Sequence, residues 1–363
     1  MSNSLTITLG IFLLAAVVIA IVGTQIAKLA DQLADKTGLG EALVGVIFLG
    51  GTTSLAGLVT CLTAAAHGHA ELAISNALGG IAAQTAFLAI ADIAYRKANL
   101  EHAAASVANL TQGALLVTLL AIVLLAMTTP QMTLFGIHPA SILLLITYIF
   151  GLRLVSEAQK KPMWGPQPTP ETQVDEPQNE PLQNSELGTL WLRFGFFAIV
   201  TAVGGYVVAR TGVSLSEQIG LSETLVGGLF TALSTALPEL VTSVAAVQRG
   251  ALTLAVGGII GGNTFDVLFV ALSDFAYQEG SIYHALTQAQ SFAIALTILM
   301  TGVLLLGLLR REKHGIGNIG FESFLILLLY LGGFSLLFFG TPRGRSCANS
   351  GRPGPRRQMR PSA

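Results

Sequence analysis

Charge is the scarcest thing in this chain: only 11% of its 363 residues are Asp, Glu, Lys or Arg, where a soluble domain carries about a quarter. The formal net charge is -1. That leaves no basic surface of the kind a nucleic-acid partner requires. Cysteine is nearly absent too. Cys61 and Cys347 provide neither a disulfide framework nor zinc-ligand spacing. No ATP-binding motif or cofactor signature stands in the sequence. No Ser-His, paired-Asp or His-rich constellation converges at one depth, so an intramembrane enzyme is not expected. The opening MSNSLTIT has no basic residue, unlike the start of a signal peptide, and the first apolar run reads as a retained span.

What remains is apolar. Hydrophobic residues make up 52% of the chain, and mean hydropathy is +0.68. Forty glycines suit helices packed closely in lipid. A membrane span needs about 20 apolar residues. By that measure the fold class is an all-α polytopic membrane protein with ten transmembrane helices, at 5–26, 42–66, 72–94, 106–128, 137–155, 189–209, 224–247, 252–276, 287–309 and 320–340. A polar stretch rich in Pro, Gln and Glu divides them five and five. The expected organisation is a first repeat over 1–158, a disordered linker over 159–188, a second repeat over 189–340 and a basic disordered tail over 341–363.

The two halves are related. At an offset of 182, Gly38–Thr60 falls on Gly220–Thr242 with twelve of 23 positions identical. The register holds onward, with Gly68 on Gly250, Gly79-Gly80 on Gly261-Gly262, and Asp92 on Asp274. An odd number of spans per half puts the halves in opposite orientations, the inverted-repeat plan of secondary transporters.

Positive charge sets the expected topology. With the N-terminus outside, the cytoplasmic side holds Lys28, Lys36, Arg96, Lys97, Arg153, Lys160, Lys161, Arg193, Arg249, Arg310, Arg311 and Lys313, against Arg210 outside. The tail runs counter to this. It carries six arginines, its composition resembles nothing upstream, and it is expected to be foreign to the rest of the chain and dispensable.

The chemistry concentrates in Thr231–Asp274, two apolar spans interrupted by Pro238-Glu239 and by Asn263-x-x-Asp266. A carboxylate at the centre of a membrane helix costs roughly 2.5–3.5 kcal/mol. A proline inside a helix costs about 3 kcal/mol and frees the carbonyl one turn back, here that of Ser234. No Lys or Arg stands near the centre of any span, so Glu239 has no salt-bridge partner in view. Two carboxylates at one depth with oxygen-bearing neighbours point to a hard cation. The candidate ligands are Glu239, Asp266, Thr235, Asn263, Gln84 and Thr53, with Thr52, Ser54, Asn76 and Thr242 in a second rank. Asn76 also reads as packing glue, and Thr242 as bonded to its own backbone. Asp92 and Asp274, near span ends, read as capping or topological charges, and His67 and His69 as a loop around Gly68.

At these residues the chain resembles the calcium/cation antiporter superfamily, whose best-known branch is the sodium/calcium exchangers. The second repeat carries the likeness in Thr235-Ala236-Leu237-Pro238-Glu239-Leu240 followed by Gly257-Gly258-Ile259-Ile260-Gly261-Gly262-Asn263. The first repeat carries it in Gly51-Thr52-Thr53-Ser54-Leu55-Ala56-Gly57 followed by Ser75-Asn76-Ala77-Leu78-Gly79-Gly80. The resemblance implies ten helices in two inverted halves, the N-terminus outside, and ion sites between the repeats. On that analogy Glu239, Thr235 and Asp266 serve from one half, and Thr53, Gly57 and Gln84 from the other. The metal would be Ca2+ or Na+, held chiefly by Glu239, Asp266, Thr235 and Thr53.

The departures matter. Gly57 stands where exchangers carry a second glutamate, Gly80 and Gly262 where they carry serines, and Ile81 opposite Asn263. The reading is a secondary antiporter without a cofactor, exchanging Ca2+ for Na+ or H+ by alternating access. The alternatives are a monovalent cation/H+ exchanger, or an exchanger-like subunit that no longer transports. The expected setting is a bacterial inner membrane. The partners are the lipid bilayer and inorganic cations, with a monomer plausible.

Overall fold

The computed structural model describes residues 4–37, 50–95, 99–160, 162–167, 184–313 and 320–340. The regular structure among the described residues is helical, with one isolated bridge between Leu134 and Ile137. The tail lies outside them, as do most of the polar linker and residues 42–49 of the second expected span.

In chain order the helices are α1 (Leu5–Thr37), α2 (Leu55–Ala66), α3 (Ala70–Ala94), α4 (Leu100–Ala104), α5 (Val107–Ala126), α6 (Pro139–Lys160) and α7 (Asn184–Ile219). A short α8 (Glu223–Leu225) runs through a π-helical segment, Val226–Thr231, into α9 (Ala232–Thr235). Then come α10 (Leu237–Gln248), α11 (Leu252–Asp266), α12 (Leu268–Ala276), α13 (Gln288–Arg310) and α14 (Phe321–Gly340). Among the described residues eight helices are long and apolar enough to cross a membrane, or nine when the bent pair Glu223–Thr235 and Leu237–Gln248 is taken as one span.

Burial sorts these spans into layers. Of the most apolar stretch of each, 94% is buried in α3 and 78% in α11–α12, against 28% in α1 and in α7. The interior spans carry many Ala and Gly residues, whose small side chains let backbones approach. Gly79 on α3 is the closest case, since a β-carbon there would lie 2.1 Å from the Gly228 carbonyl oxygen. The apolar α1 and α7 pack along one another at the periphery and expose Leu, Ile and Phe outward, as lipid-facing helices do.

Pro238 breaks its span as its chemistry requires. The path bends by 46° between Thr235 and Leu237, and Pro238 begins the new helix, where its missing N–H has no bond to lose. Glu239 thereby falls in the first turn of α10, where the helix dipole favours an anion. The first half breaks at the position offset by 182: residues 50–53 are helical, Ser54 turns, and α2 follows with Gly57 in its first turn. Each break is met by a glycine of the opposite half. A β-carbon on Gly23 of α1 would lie 2.4 Å from Pro238 Cγ, and one on Gly205 of α7 would lie 2.4 Å from the Ala56 oxygen.

Asp92 and Asp274 are fully buried caps. Asp92 accepts from the Leu100 N–H (2.6 Å) and the Gly320 N–H (3.0 Å). Asp274 accepts from Ile282 N–H (3.0 Å), His138 N–H (2.8 Å) and Ser141 Oγ (2.7 Å).

His69 does more than close a loop. Gly68 makes the turn at φ +83°, and His69 Nδ1 then lies 2.6 Å from Glu223 Oε1, joining the start of α3 to the start of α8. The hydrogen bond to Glu223 raises the imidazole from its ordinary 6.5, outweighing partial burial. A raised histidine stabilises the fold below its unfolded value and loses that contribution as pH rises through its folded value. His69→Ala is therefore expected to lower the melting temperature more at about pH 5.5 than at about pH 8.5, by a margin worth roughly 1 kcal/mol or less. Thermal unfolding in detergent at the two pH values measures it.

Candidate functional site: a buried acidic cavity

The two helix breaks and the two interior spans meet at one small cavity of about 10 Å³, room for about one water-sized occupant. Glu239 and Thr235 reach it from the broken span, Asp266 from the end of α11, Ser54 from the first-half break, and Gln84 and Asn76 from α3. Among the described residues no lysine or arginine lines it. The burial is deep: Glu239 is 6% exposed, and Asp266 and Gln84 are each 3% exposed.

The hydrogen bonds at this cavity leave oxygen lone pairs over. Ser54 Oγ donates to Glu239 Oε1 (3.4 Å), and Gln84 Nε2 donates to Asp266 Oδ2 (2.7 Å). Among the described residues Glu239 Oε2, Asp266 Oδ1 and Gln84 Oε1 are buried without a hydrogen-bond partner. Buried polar atoms are almost always paired, and each orphan calls for an explanation. Three orphan acceptors around one void, two of them carboxylate oxygens, lack positive charge. A cation or a proton is the kind of group that would supply it. Thr235 adds to this set. Its hydroxyl hydrogen goes to the Thr231 and Ala232 carbonyls (3.0 and 3.2 Å), which leaves the oxygen's lone pairs for the cavity.

Other sequence-predicted residues fall elsewhere. Thr53 Oγ1 donates to the Gly50 carbonyl (3.0 Å), and neither Thr53 nor Thr52 lines the cavity. Thr242 bonds back to the Pro238 and Glu239 carbonyls (3.0 and 3.1 Å). Asn263 is fully buried, donates to Thr85 Oγ1 (3.0 Å), and holds an unpaired Oδ1 away from the cavity lining. Asn76 is both wall and brace, since it receives Thr231 Oγ1 (2.7 Å) and donates to the Gly57 carbonyl (3.4 Å) and Cys61 Sγ (3.3 Å).

One residue was underrated by the sequence and one escaped it. Ser54 ranked low, yet it is the hydroxyl that meets Glu239. Its hydroxyl placed it among the second-rank candidates, and its position, 182 before Ala236 at the other break, is the signal that sets it apart from Thr52 and Thr53. Phe269 also lines the cavity, and a β-carbon on Gly57 would lie 3.3 Å from its ring. An aromatic in an apolar span carries no sequence mark of such a role. Gly80 is the opposite case, because a β-carbon there meets nothing within 4 Å. Gly80→Ser is therefore expected to fold with stability unchanged or raised by about 0.5 kcal/mol, from helix propensity, as thermal unfolding reports.

A buried acidic cavity at the meeting of two broken helices, inside a polytopic helical body, defines a membrane ion carrier. The chain belongs to the sodium/calcium exchanger protein family, which matches residues 7–156 and 189–340. It is a transporter of that family and not an enzyme. It is 26% identical over 320 residues to a putative antiporter, CaxA, of Alkalimonas amylolytica, covering 85% of this chain and 92% of that one. Its fold is similar to that of an H+/Ca2+ exchanger, CAX, with TM-score 0.68 and 14% identity over 91% of this chain and 82% of that one. It is also similar to the sodium-calcium exchanger NCX_Mj, with TM-score 0.57 and 18% identity over 92% of this chain and 99% of that one.

Proposed function

We propose that this chain is a secondary active antiporter that exchanges Ca2+ for Na+ or H+ by alternating access. The observation that carries the reading is the set of orphan acceptors, Glu239 Oε2, Asp266 Oδ1 and Gln84 Oε1, around one cavity. Relatives described as an H+/Ca2+ exchanger and a sodium-calcium exchanger share the fold. The ion sits between Glu239 and Asp266 with Gln84, Thr235 and Ser54 as neutral oxygens. One repeat-derived bundle slides past the other and opens this site to each side in turn.

We infer ten spans in two inverted halves, counting the described helix ending at Ala66 together with residues before it as one. Contacts paired at the offset of 182 support this. Gln84 bonds to Asp266, its own counterpart, as residues beside a two-fold axis do. Gly23 meets Pro238 as Gly205 meets Ala56. The positive-inside count supports an N-terminus outside, in a bacterial inner membrane.

Charge limits the cargo. Two carboxylates balance one Ca2+ or up to two monovalent ions, and three Na+ together would leave positive charge unbalanced in a low dielectric. Gly57, with Phe269 against it, favours a second reading of monovalent cation/H+ exchange. Proteoliposomes with imposed Na+ or H+ gradients separate the two. Gradient-driven 45Ca2+ uptake supports calcium antiport, and 22Na+ uptake without calcium uptake supports the monovalent reading. No flux of either, from folded and inserted protein, overturns both and leaves a non-transporting subunit.

A further inference from the structure

A second buried carboxyl cluster stands at one end of the bundle, away from the transport cavity. Asp92 lies eight residues beyond Gln84 on α3, roughly 12 Å along the helix. It caps the Leu100 and Gly320 N–H groups. Glu101 on α4 is 4% exposed, and its Oε1 takes the hydroxyl of Ser323, in the first turn of α14. Among the described residues its Oε2 is buried with no hydrogen-bond partner, and it lies 3.0 Å from where a β-carbon on Gly320 would stand. That unpaired oxygen thus points at the backbone that Asp92 caps.

The positions offset by 182 are a control built into the chain. There Asp274 caps Ile282 and His138 as Asp92 caps Leu100 and Gly320, and Ser141 stands for Ser323. The counterpart of Glu101 is Tyr283, whose hydroxyl lies 2.9 Å from Ser141 Oγ. In that cluster a phenol and a serine supply two protons around one carboxylate. In the Asp92 cluster the phenol is replaced by a second carboxylate. The donors that remain are two backbone N–H groups and one serine, and they leave Glu101 Oε2 unmatched. One added proton completes the set.

We propose that Asp92 and Glu101 form a proton-binding site, distinct from the transport cavity, that clasps the first turn of α14 to α3 and α4 while it holds one proton and loosens when that proton leaves. The inference does not depend on which ion the cavity carries. Burial, and then the charge of Asp92, push Glu101 up from 4.5 to about 7, so the site titrates in the physiological range. The other charged and titratable groups around it, among the described residues, are few. Glu322 on α14 is held by Arg310 of α13 (3.4 Å), which also pairs with Glu312 (3.3 Å). His102 Nδ1 lies 2.7 Å from the Arg311 carbonyl, and the Arg311 guanidinium donates to the His102 and Gln167 carbonyls. The packed α11 contributes no charge except Asp266 at its far end. No described cation touches Glu101 directly, so a proton is what neutralises it.

The sign follows from linkage. A carboxyl raised on folding binds more protons folded than unfolded, so its site weakens as pH rises from about 4.5 to about 7. Hydrogen-deuterium exchange of the peptides covering 92–104 and 320–330, corrected for intrinsic rates, reads the clasp in the full-length protein. The expected result is that wild-type protection at these two segments falls about tenfold or more as pH rises from about 4.5 to about 7 and levels off above that, while α5 and α6 stay unchanged. Glu101→Gln keeps an acceptor for Ser323 and fills the place of the acid form, so its protection stays high at every pH. Asp92→Asn removes the charge that, after burial, raises the proton's affinity and is the second variant, expected to shift the transition to lower pH. Wild-type protection that does not change with pH overturns the proposal without either variant. A pH dependence that persists unchanged in folded Glu101→Gln or Asp92→Asn overturns it too.

Discussion

Glu239→Gln is expected to abolish gradient-driven cation uptake, with ion affinity falling by about three orders of magnitude. The cavity holds two carboxylates, and the amide removes one of them while keeping volume and an acceptor for Ser54. A unit charge pair at 4 Å is worth about 4 kcal/mol at an effective dielectric of 20, and each 1.4 kcal/mol is about a factor of ten in affinity. The same change should leave the fold intact or stabilise it, because a neutral amide is easier to bury than an unpaired carboxylate. Paired measurements of 45Ca2+ and 22Na+ uptake and of melting temperature test both halves. Uptake retained within a factor of two of wild type would remove Glu239 from the transport site. Lost uptake with lost folding would make it structural.

Gly79→Ala is expected to cause the largest loss of stability of any conservative substitution in the interior. A β-carbon at Gly79 would overlap the Gly228 carbonyl at 2.1 Å, and the obstacle is backbone, which cannot rotate away. Overpacking of this kind costs about 1–3 kcal/mol and occasionally more. Here the π-helical segment carrying Gly228 must separate from α3, and that movement also pulls Thr231 from Asn76. We expect poor membrane accumulation and a lower melting temperature. Gly80→Ala, one residue on, has open space for its β-carbon and should behave like wild type. Equal behaviour of the two variants would contradict the close approach of α3 to Gly228.

Much of this was legible in the sequence because each signal is local or strictly periodic. Apolar runs of span length do not depend on their partners, so α3 and α11–α12 lie within a few residues of their expected bounds, whereas α1 and α7 continue about ten residues past the expected ends at 26 and 209. The break at Pro238 follows from the missing N–H, whatever surrounds it. Glu239 and Asp266 stood out because a carboxylate in an apolar span has no inexpensive reason to be there. Asp92 and Asp274 read as caps from their span-end positions, and their accepted N–H bonds are of that kind. The offset of 182 was visible as identity, and it recurs in the contacts Gln84–Asp266, Gly23–Pro238 and Gly205–Ala56.

By itself, then, the sequence determined the class of protein, the helical path and the carboxylates around which a site had to form. Only the tertiary structure decided which neutral oxygens join them. Thr53 and Ser54 are neighbours with similar hydroxyls, yet one bonds its own helix and the other turns to Glu239, because the chain breaks at Ser54. Asn263 shares a helix face with Asp266, but its amide donates across the interface to Thr85 and it stays out of the cavity lining. Phe269 and the orphan oxygen of Glu101 became visible only with their neighbours in place. The physical reason is range. Hydropathy and backbone chemistry act within a few residues along the chain, whereas the pairing of a buried polar atom is settled by whatever a distant segment brings within 3.5 Å.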